Sequence, residues 1–117
     1  MAHTVLIVDD HEGFRRAVRA LLEGEGLEVV GEACDGESAL AEAERLRPEL
    51  VLVDVQLPDA DGFDVAARLE RASHVRAVVL TSTRAASSYR ERLARRPAAV
   101  FIPKSELSAE ALAALVV

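Results

Sequence analysis

The sequence lacks the features that tie a small protein to an oxidising compartment, a membrane or a zinc site. It has one cysteine among 117 residues, which excludes a disulfide framework and a cysteine-based zinc site. No apolar run approaches the ~20 residues of a membrane span, and residues 1–3 lack the charged and apolar regions of a signal peptide. We therefore expect a single cytoplasmic domain over residues 1–117, with no output domain in this chain and no membrane contact.

Aromatic residues and excess positive charge are also scarce. Aromatics make up 3% of the chain, tryptophan is absent, and 14 basic against 20 acidic side chains give a formal net charge of −6. Nucleic-acid-binding domains usually carry a basic surface, and many single-strand binders add aromatic side chains to it. Direct nucleic-acid binding by this chain is therefore not expected.

The sequence does contain short apolar, β-branched runs that alternate five times with helical patterns. The predicted strands are residues 4–8, 27–33, 50–53, 75–80 and 98–102. Predicted helices lie between them at residues 14–22, 37–45, 62–72 and 87–94, and a fifth runs from residue 108 to the end. Because a parallel crossover needs a helix to return the chain, this alternation predicts an α/β fold. The expected architecture is a five-stranded parallel sheet in a doubly wound, flavodoxin-like (βα)5 sandwich.

Two of these helices carry recognisable signals. From Phe14, apolar side chains recur at i, i+3, i+4, i+7 and i+8, which is one stripe of an amphipathic helix. Gly24 and Gly26 then provide a helix stop. Ser108 is the predicted N-cap of the last helix.

Polar side chains follow the carboxyl ends of four predicted strands, where open α/β sheets bind their ligands. In strand order they are Asp9 and Asp10, then Asp54, then Thr81 and Ser82, and finally Lys104. Each residue alone has an ordinary explanation as a cap, a turn residue or a surface lysine. Together they predict one site that combines three carboxylates, a hydroxyl and an ammonium.

Three adjacent carboxylates repel one another unless a cation neutralises them. Mg²⁺ prefers oxygen ligands and keeps several waters, so an open acidic rim suits it. No histidine is placed for a softer metal: we interpret His11 as a solvent-exposed residue at the start of the first helix, and His3 and His74 as loop residues. The predicted cofactor is Mg²⁺.

Taken in order, these motifs resemble the receiver domain of bacterial two-component response regulators over essentially the whole chain. The matching segments are residues 5–10, residues 51–58 with Gly62 after them, residues 80–82 and residues 101–104. The resemblance implies that Asp54 accepts a phosphoryl group from a sensor histidine kinase or a phosphotransfer protein. It also implies Mg²⁺ ligation by Asp10 and Asp54, by Asp9 partly through water, and by the backbone carbonyl of Gln56.

Further roles follow from the same resemblance. Thr81 and Lys104 are expected to hold the phosphoryl oxygens, and Phe101 is the expected aromatic switch. The chain departs from many receivers in having Pro97, Val100 and Ser105. We expect the bulky Val100 to restrict Phe101, and no cis peptide after Lys104 because Ser105 replaces a proline.

The expected output is a changed protein-interaction surface. Five arginines cluster around the fourth helix and form either a solvated face or a surface for a kinase, an output protein or a second copy; they are Arg84, Arg90, Arg92, Arg95 and Arg96. We expect no enzyme activity beyond the domain's own phosphorylation and dephosphorylation.

Two alternatives remain open. One is a receiver-like interaction module that is not phosphorylated, although the intact acidic, hydroxyl and lysine positions argue against it. The other is a small Mg²⁺-dependent aspartyl phosphohydrolase. Such enzymes commonly have a second acid where this chain has Gln56, and they need a cap for which 117 residues leave little room.

Overall fold

The protein is described by a computed structural model that covers residues 2–23, 25–96 and 99–116. Five parallel strands form one sheet in the order β2-β1-β3-β4-β5. The strands are β1 (His3–Val8), β2 (Leu27–Ala33), β3 (Leu50–Asp54), β4 (Ala77–Thr81) and β5 (Val100–Phe101). The α-helices are α1 (Glu12–Leu22), α2 (Gly36–Leu46), α3 (Gly62–Leu69), α4 (Arg90–Ala94) and α5 (Ala109–Ala113). The predicted fold class is confirmed.

The two sides of the sheet form two separate hydrophobic layers. Side chains alternate along each strand, so Leu6 and Val8 face α2 and α3, whereas Val5 and Ile7 face α1 and α5. All four side chains are almost completely buried. Since β1 and β3 are covered on both faces, their carboxyl ends are fixed side by side in the middle of the sheet.

The boundaries differ from the predicted ones mainly in the second half of the chain. β4 begins at Ala77, because the Val75 N–H is used in a turn with the Ala72 carbonyl. A 3₁₀ turn over Ala86–Tyr89 replaces the first half of the predicted fourth helix. Only Val100–Phe101 pairs as β5, and the start of the predicted fifth strand, like the departure at Pro97, lies outside the described residues.

Other local expectations have mixed outcomes. Ser108 caps α5, as predicted, by accepting the Ala111 N–H at 3.0 Å. Gly26 has a positive φ of 80°, whereas Gly24 lies outside the described residues. His3 is the first residue of β1 rather than a loop residue. No cis peptide occurs in the part of the chain that the structure describes.

Val100 and Phe101 point to opposite faces of the sheet. Val100 packs with the layer of α1 and α5, and Phe101 with the layer of α2 and α3. The expected restriction of Phe101 by Val100 is therefore corrected, because the two side chains do not share a face. Within residues 2–23, 25–96 and 99–116, no helix is long and apolar enough to cross a bilayer.

One arginine of α4 and one that follows it bind α3 instead of standing free. Arg92 lies 2.6 Å from the Asp61 carboxylate and 4.1 Å from the centre of the Phe63 ring. Arg96 lies 2.6 Å from the Glu70 carboxylate. Part of the predicted arginine surface therefore attaches the short α4 helix to its neighbour.

Gly62 allows α3 to start directly against the end of β3. Its N–H donates to the Val55 carbonyl at 2.8 Å, and the preceding Asp61 caps the helix by accepting the Phe63 N–H. A Cβ at position 62 would lie 2.6 Å from the Cα of Val55 and would collide with the Asp54 carbonyl. This close approach explains the glycine that follows the Asp54 motif.

We predict that Gly62→Ala lowers the free energy of unfolding by about 3 kcal/mol, because the obstructing atoms belong to the backbone and cannot turn aside. The matched control is Gly13→Ala in α1, where an added Cβ meets nothing within 4 Å. That change should stabilise the protein by roughly 0.5–1 kcal/mol. Urea unfolding measures the free energy of unfolding of both variants. Equal values would contradict the conclusion that position 62 requires a glycine.

Candidate functional site

A cleft of about 200 Å³ opens at the carboxyl ends of the central strands. It lies next to β1 and β3, where the strand order reverses. The residues that line it are Asp10, His11, Asp54, Gln56, Leu57, Pro58, Ser82, Thr83 and Lys104. The structure thus brings together residues from the ends of four strands, as the sequence pattern led us to expect.

The acidic side of the site is formed by Asp9, Asp10, His11 and Asp54. Each offers one ligand atom, and these atoms all lie within 4.8 Å of one another. Asp9 and Asp54 are buried, whereas Asp10 and His11 are exposed. The His11 side chain is 68% exposed, as predicted, but its Nδ1 lies 3.1 Å from a carboxylate oxygen of both Asp9 and Asp10.

Lys104 joins the two buried carboxylates. Its Nζ lies 2.7 Å from Oδ2 of Asp9 and donates to Oδ2 of Asp54 at 3.2 Å. The other oxygen of Asp54 accepts the Gln56 N–H at 3.0 Å. The same ammonium lies 4.2 Å from the centre of the Phe14 ring. The sequence pattern identified Phe14 only as an apolar member of the α1 stripe, so this contact was missed.

These contacts move the three pKa values in different directions. Burial alone would raise the pKa of Asp9, but hydrogen bonds from Lys104 and His11 leave it below its usual value. Burial raises the pKa of Asp54, and the neighbouring charge of Asp9 adds to it. Burial would lower the pKa of Lys104, but the two carboxylates raise it. Of the two buried carboxylates, Asp54 is therefore the one whose charge is less compensated by the protein.

Thr81 is not among the residues that line the cleft, and its role toward the phosphoryl oxygens stays a prediction. Its hydroxyl donates to the Ile102 carbonyl at 2.7 Å, and the residue is completely buried. Thr81 pairs with Asp54 at the end of the sheet, and its carbonyl accepts the Val55 N–H. The next residue, Ser82, lies just past the strand and lines the cleft.

Ser82 is connected to an aromatic residue that the sequence reasoning did not single out. Its Oγ lies 2.8 Å from the Tyr89 hydroxyl in a buried pair. The Tyr89 ring packs between Phe63 and Phe101, with ring centres 6.0 and 5.6 Å away. The sequence analysis identified the serine at the strand end. It could not predict the contact with a tyrosine seven residues later, because that contact depends on the fold of the loop between them.

Comparisons with known proteins agree with this geometry. Over 106 residues the chain is 39% identical to the virulence factors transcription regulator BvgA of Bordetella pertussis, covering 91% of this chain and 51% of that protein. It is 35% identical to the response regulator GacA of Pseudomonas viridiflava over 112 residues, covering 95% and 52%. The chain thus spans about half the length of these curated relatives.

Solved structures show the same fold. The signal receiver domain of a NarL response regulator from Mycobacterium tuberculosis superposes with a TM-score of 0.78 at 32% identity, covering 98% of this chain and 94% of that one. The response regulator domain of Thermotoga maritima CheB has a TM-score of 0.80 at 23% identity, covering 99% and 95%, and shows the fold alone.

The family comparison covers nearly all of the chain. Residues 5–116 match the response regulator receiver domain, so the match includes every strand end that contributes to the cleft and all but the first two residues of β1. The fold, the acidic cleft with its lysine and the identities above all point to one conclusion. This chain belongs to the receiver domain family of two-component response regulators.

Proposed function

We propose that Asp54 is phosphorylated, with the help of Mg²⁺, by a sensor histidine kinase or a phosphotransfer protein, and that this switches a protein-interaction surface. The observation that carries the proposal is the environment of Asp54. One of its oxygens accepts from Lys104, and three further ligand atoms, from Asp9, Asp10 and His11, lie within 4.8 Å. A nucleophilic carboxylate beside a cation and an acidic cluster suits phosphoryl transfer.

The reaction forms a P–O bond to Asp54 and breaks the P–N bond of the phosphohistidine. The leaving imidazole nitrogen keeps the electron pair of that bond. Gln56 orients the nucleophile, since its N–H already binds Oδ1 of Asp54 at 3.0 Å. Lys104 lies where its ammonium can accept charge from the transferring oxygens. The protein therefore contributes orientation and positive charge rather than a general base.

The donor set fits Mg²⁺ because it consists mainly of carboxylate oxygens. The proposed ligands are Asp10 and Asp54 directly, Asp9 partly through water, and the backbone carbonyl of Gln56. When bound, Mg²⁺ supplies positive charge that offsets the carboxylates and the phosphoryl oxygens. Of the two buried carboxylates, Asp54 gains more from it, because its charge is less compensated by the protein than that of Asp9.

In this proposal Thr81 and Lys104 hold the phosphoryl oxygens, as the sequence analysis expected. To do so, the Thr81 hydroxyl gives up its bond to the Ile102 carbonyl, and Ser82 lines the cleft beside it. Ser82 also binds Lys104 through the backbone, since its carbonyl accepts the Lys104 N–H at 2.9 Å. Phe101 contacts Tyr89. The role of Phe101 as the aromatic switch stays part of the proposal.

The wider assignments are also proposals. We infer that residues 1–117 form one receiver domain that acts in the cytoplasm. Its partners are the phosphodonor protein and either an output protein or a second copy of the chain. The signal leaves through α4 and the residue after it, where Arg90 and Arg95 have no ion pair with α3 among the described contacts.

Removing one carboxylate of the proposed metal site should abolish its response to Mg²⁺. We predict that Mg²⁺ raises the melting temperature of the wild type and leaves that of Asp10→Asn unchanged. Asp64→Asn is the matched control, because it removes the same charge from an exposed position on α3. Thermal unfolding with increasing Mg²⁺ measures the effect, and an intact response in Asp10→Asn would refute the ligand assignment.

Incubation with acetyl phosphate and Mg²⁺ should add one phosphoryl group to the wild type. Asp54→Asn should remain folded and unmodified, whereas Asp64→Asn should be modified like the wild type. Intact-protein mass spectrometry measures the addition. A wild-type mass that never changes would favour the non-phosphorylated interaction module. Turnover of small phosphate esters would favour the phosphohydrolase.

Two neighbouring hydroxyls should have separable effects. We predict that Thr81→Val slows phosphorylation by about tenfold, the size expected for one hydrogen bond to a charged group. It should also lower the free energy of unfolding by roughly 1 kcal/mol, because it removes the bond to Ile102. Ser82→Ala should leave the phosphorylation rate unchanged, and a rate loss in Ser82→Ala alone would contradict the assignment of this role to Thr81.

A further inference from the structure

We propose that Arg15 is a positioning residue for the Mg²⁺ site: it holds the peptide unit between Asp9 and Asp10 and thereby sets the direction of the Asp10 carboxylate. The inference rests on the proposed function, in which Asp10 is a direct ligand of Mg²⁺. Arg15 lies in the first turn of α1 and is not among the residues that line the cleft. It therefore acts through the backbone rather than on the ion.

The backbone of Asp9 is fixed at both of its polar groups. Its N–H donates to the Ala33 carbonyl of β2 at 3.0 Å. Its carbonyl accepts from Nη1 of Arg15 at 2.6 Å, and no backbone N–H donates to this carbonyl in the part of the chain that the structure describes. The guanidinium is therefore the group that fixes the peptide unit leading directly into Asp10.

Arg15 is itself held by Glu32 on β2. Its Nε donates to Oε1 of Glu32 at 2.8 Å, and the Arg15 side chain is only 16% exposed. Burial alone would raise the pKa of Glu32, but the bonds from Arg15 and Arg19 leave it below its usual value, so the partner stays charged. A guanidinium presents its donors in a rigid planar fork. With one donor on Glu32 and another on the Asp9 carbonyl, the fork fixes that carbonyl relative to β2.

Asp10 needs such a restraint more than the other carboxylates of the site. Asp9 and Asp54 are buried and both lie against Lys104. The Asp10 side chain is 39% exposed, and its partner among the described ion pairs is the exposed His11. Ordering a mobile ligand when the ion binds costs conformational entropy, so a backbone that is fixed beforehand raises the affinity.

Arg19 makes the same kind of contact without reaching the site, which provides the matched control. Its Nε donates to the other oxygen of Glu32 at 2.9 Å, and its Nη1 donates to Glu23 at 3.2 Å. Both arginines thus attach α1 to β2 through one carboxylate, but of the two only Arg15 binds the Asp9 carbonyl. A role in attachment alone would make the two arginines equivalent for Mg²⁺ binding.

Titration with Mg²⁺, followed by the backbone amide NMR signals of residues 9–12, measures the affinity of the folded protein. We expect Arg15→Met to bind Mg²⁺ about tenfold more weakly than the wild type, the lower end of the effect of removing a group that orients metal ligands. Arg19→Met should bind at least as tightly as the wild type. The sign identifies the cause, because removing a positive charge by itself lowers the repulsion of the ion and tightens its binding.

Arg15→Lys keeps the charge and tests the geometry separately. Lysine has a compact ammonium in place of the planar fork, so it cannot hold Glu32 and the Asp9 carbonyl in the same way. We expect this variant to bind Mg²⁺ about threefold more weakly, within the range of one net hydrogen bond. Arg19→Lys should bind like the wild type. If Arg15→Met does not fold, the comparison of the two lysine variants gives the answer.

The outcomes separate this inference from the proposed function. Weaker Mg²⁺ binding by the Arg15 variants, with normal or tighter binding by the Arg19 variants, supports the positioning role. Equal or tighter binding by Arg15→Met, or by Arg15→Lys where the methionine variant does not fold, overturns it, as does an equal loss in the Arg19 variants. In those cases the Mg²⁺ ligands and Asp54 phosphorylation still stand. A wild type that does not bind Mg²⁺ overturns the ligand assignment of the proposed function and, with it, the role of Arg15.

Discussion

The contact of Lys104 with Asp9 and Asp54 is the interaction on which the site depends. Two buried carboxylates side by side would each favour the protonated form, and burying them without a partner would be costly. The ammonium, 2.7 Å from one and 3.2 Å from the other, compensates part of the charge of both carboxylates. The lysine reaches this position because its N–H binds the Ser82 carbonyl and thereby continues the β4 and β5 pairing beyond the strands. The strand pairing thus places the lysine, and the lysine in turn compensates the charge of the two buried carboxylates.

Close backbone packing and one aspartate with two roles hold the loops around the site. Gly62 allows the helix after Asp54 to start against the backbone of β3, and Asp61 both caps that helix and binds Arg92 of α4. Because burial raises the pKa of Asp61 less than its hydrogen bonds with Arg92 and Phe63 lower it, the aspartate keeps its charge for the bond to Arg92. The loop that follows Asp54 and the helix α4, through which the signal is proposed to leave, are therefore linked directly. A second link, from Ser82 to Tyr89, approaches the same helix from β4.

These two links explain why α4 is suited to respond to the site. It has only five residues and no buried side chain, so few apolar contacts hold it in place. It is attached mainly by the ion pairs that Arg92 and the following Arg96 make with Asp61 and Glu70 at the two ends of α3, and by the preceding Tyr89, whose ring lies between two phenylalanine rings. Elements with few buried contacts change position at low cost in free energy. α1, by contrast, buries Val18 and Leu22 and has the structure of a fixed support.

The sequence by itself determined the parallel α/β fold, and the strand-end motifs located Asp9, Asp10, Asp54 and Lys104, because apolar periodicity and the geometry of parallel sheets leave few other arrangements. It did not reveal the partner of the Thr81 hydroxyl. That partner is the Ile102 carbonyl, which follows β5 and reaches Thr81 only because β5 pairs with β4. Nor did it reveal Phe14 against Lys104 or Tyr89 against Ser82. Apolar patterns assign such residues to the core, and only the tertiary packing decides which polar atom each of them meets.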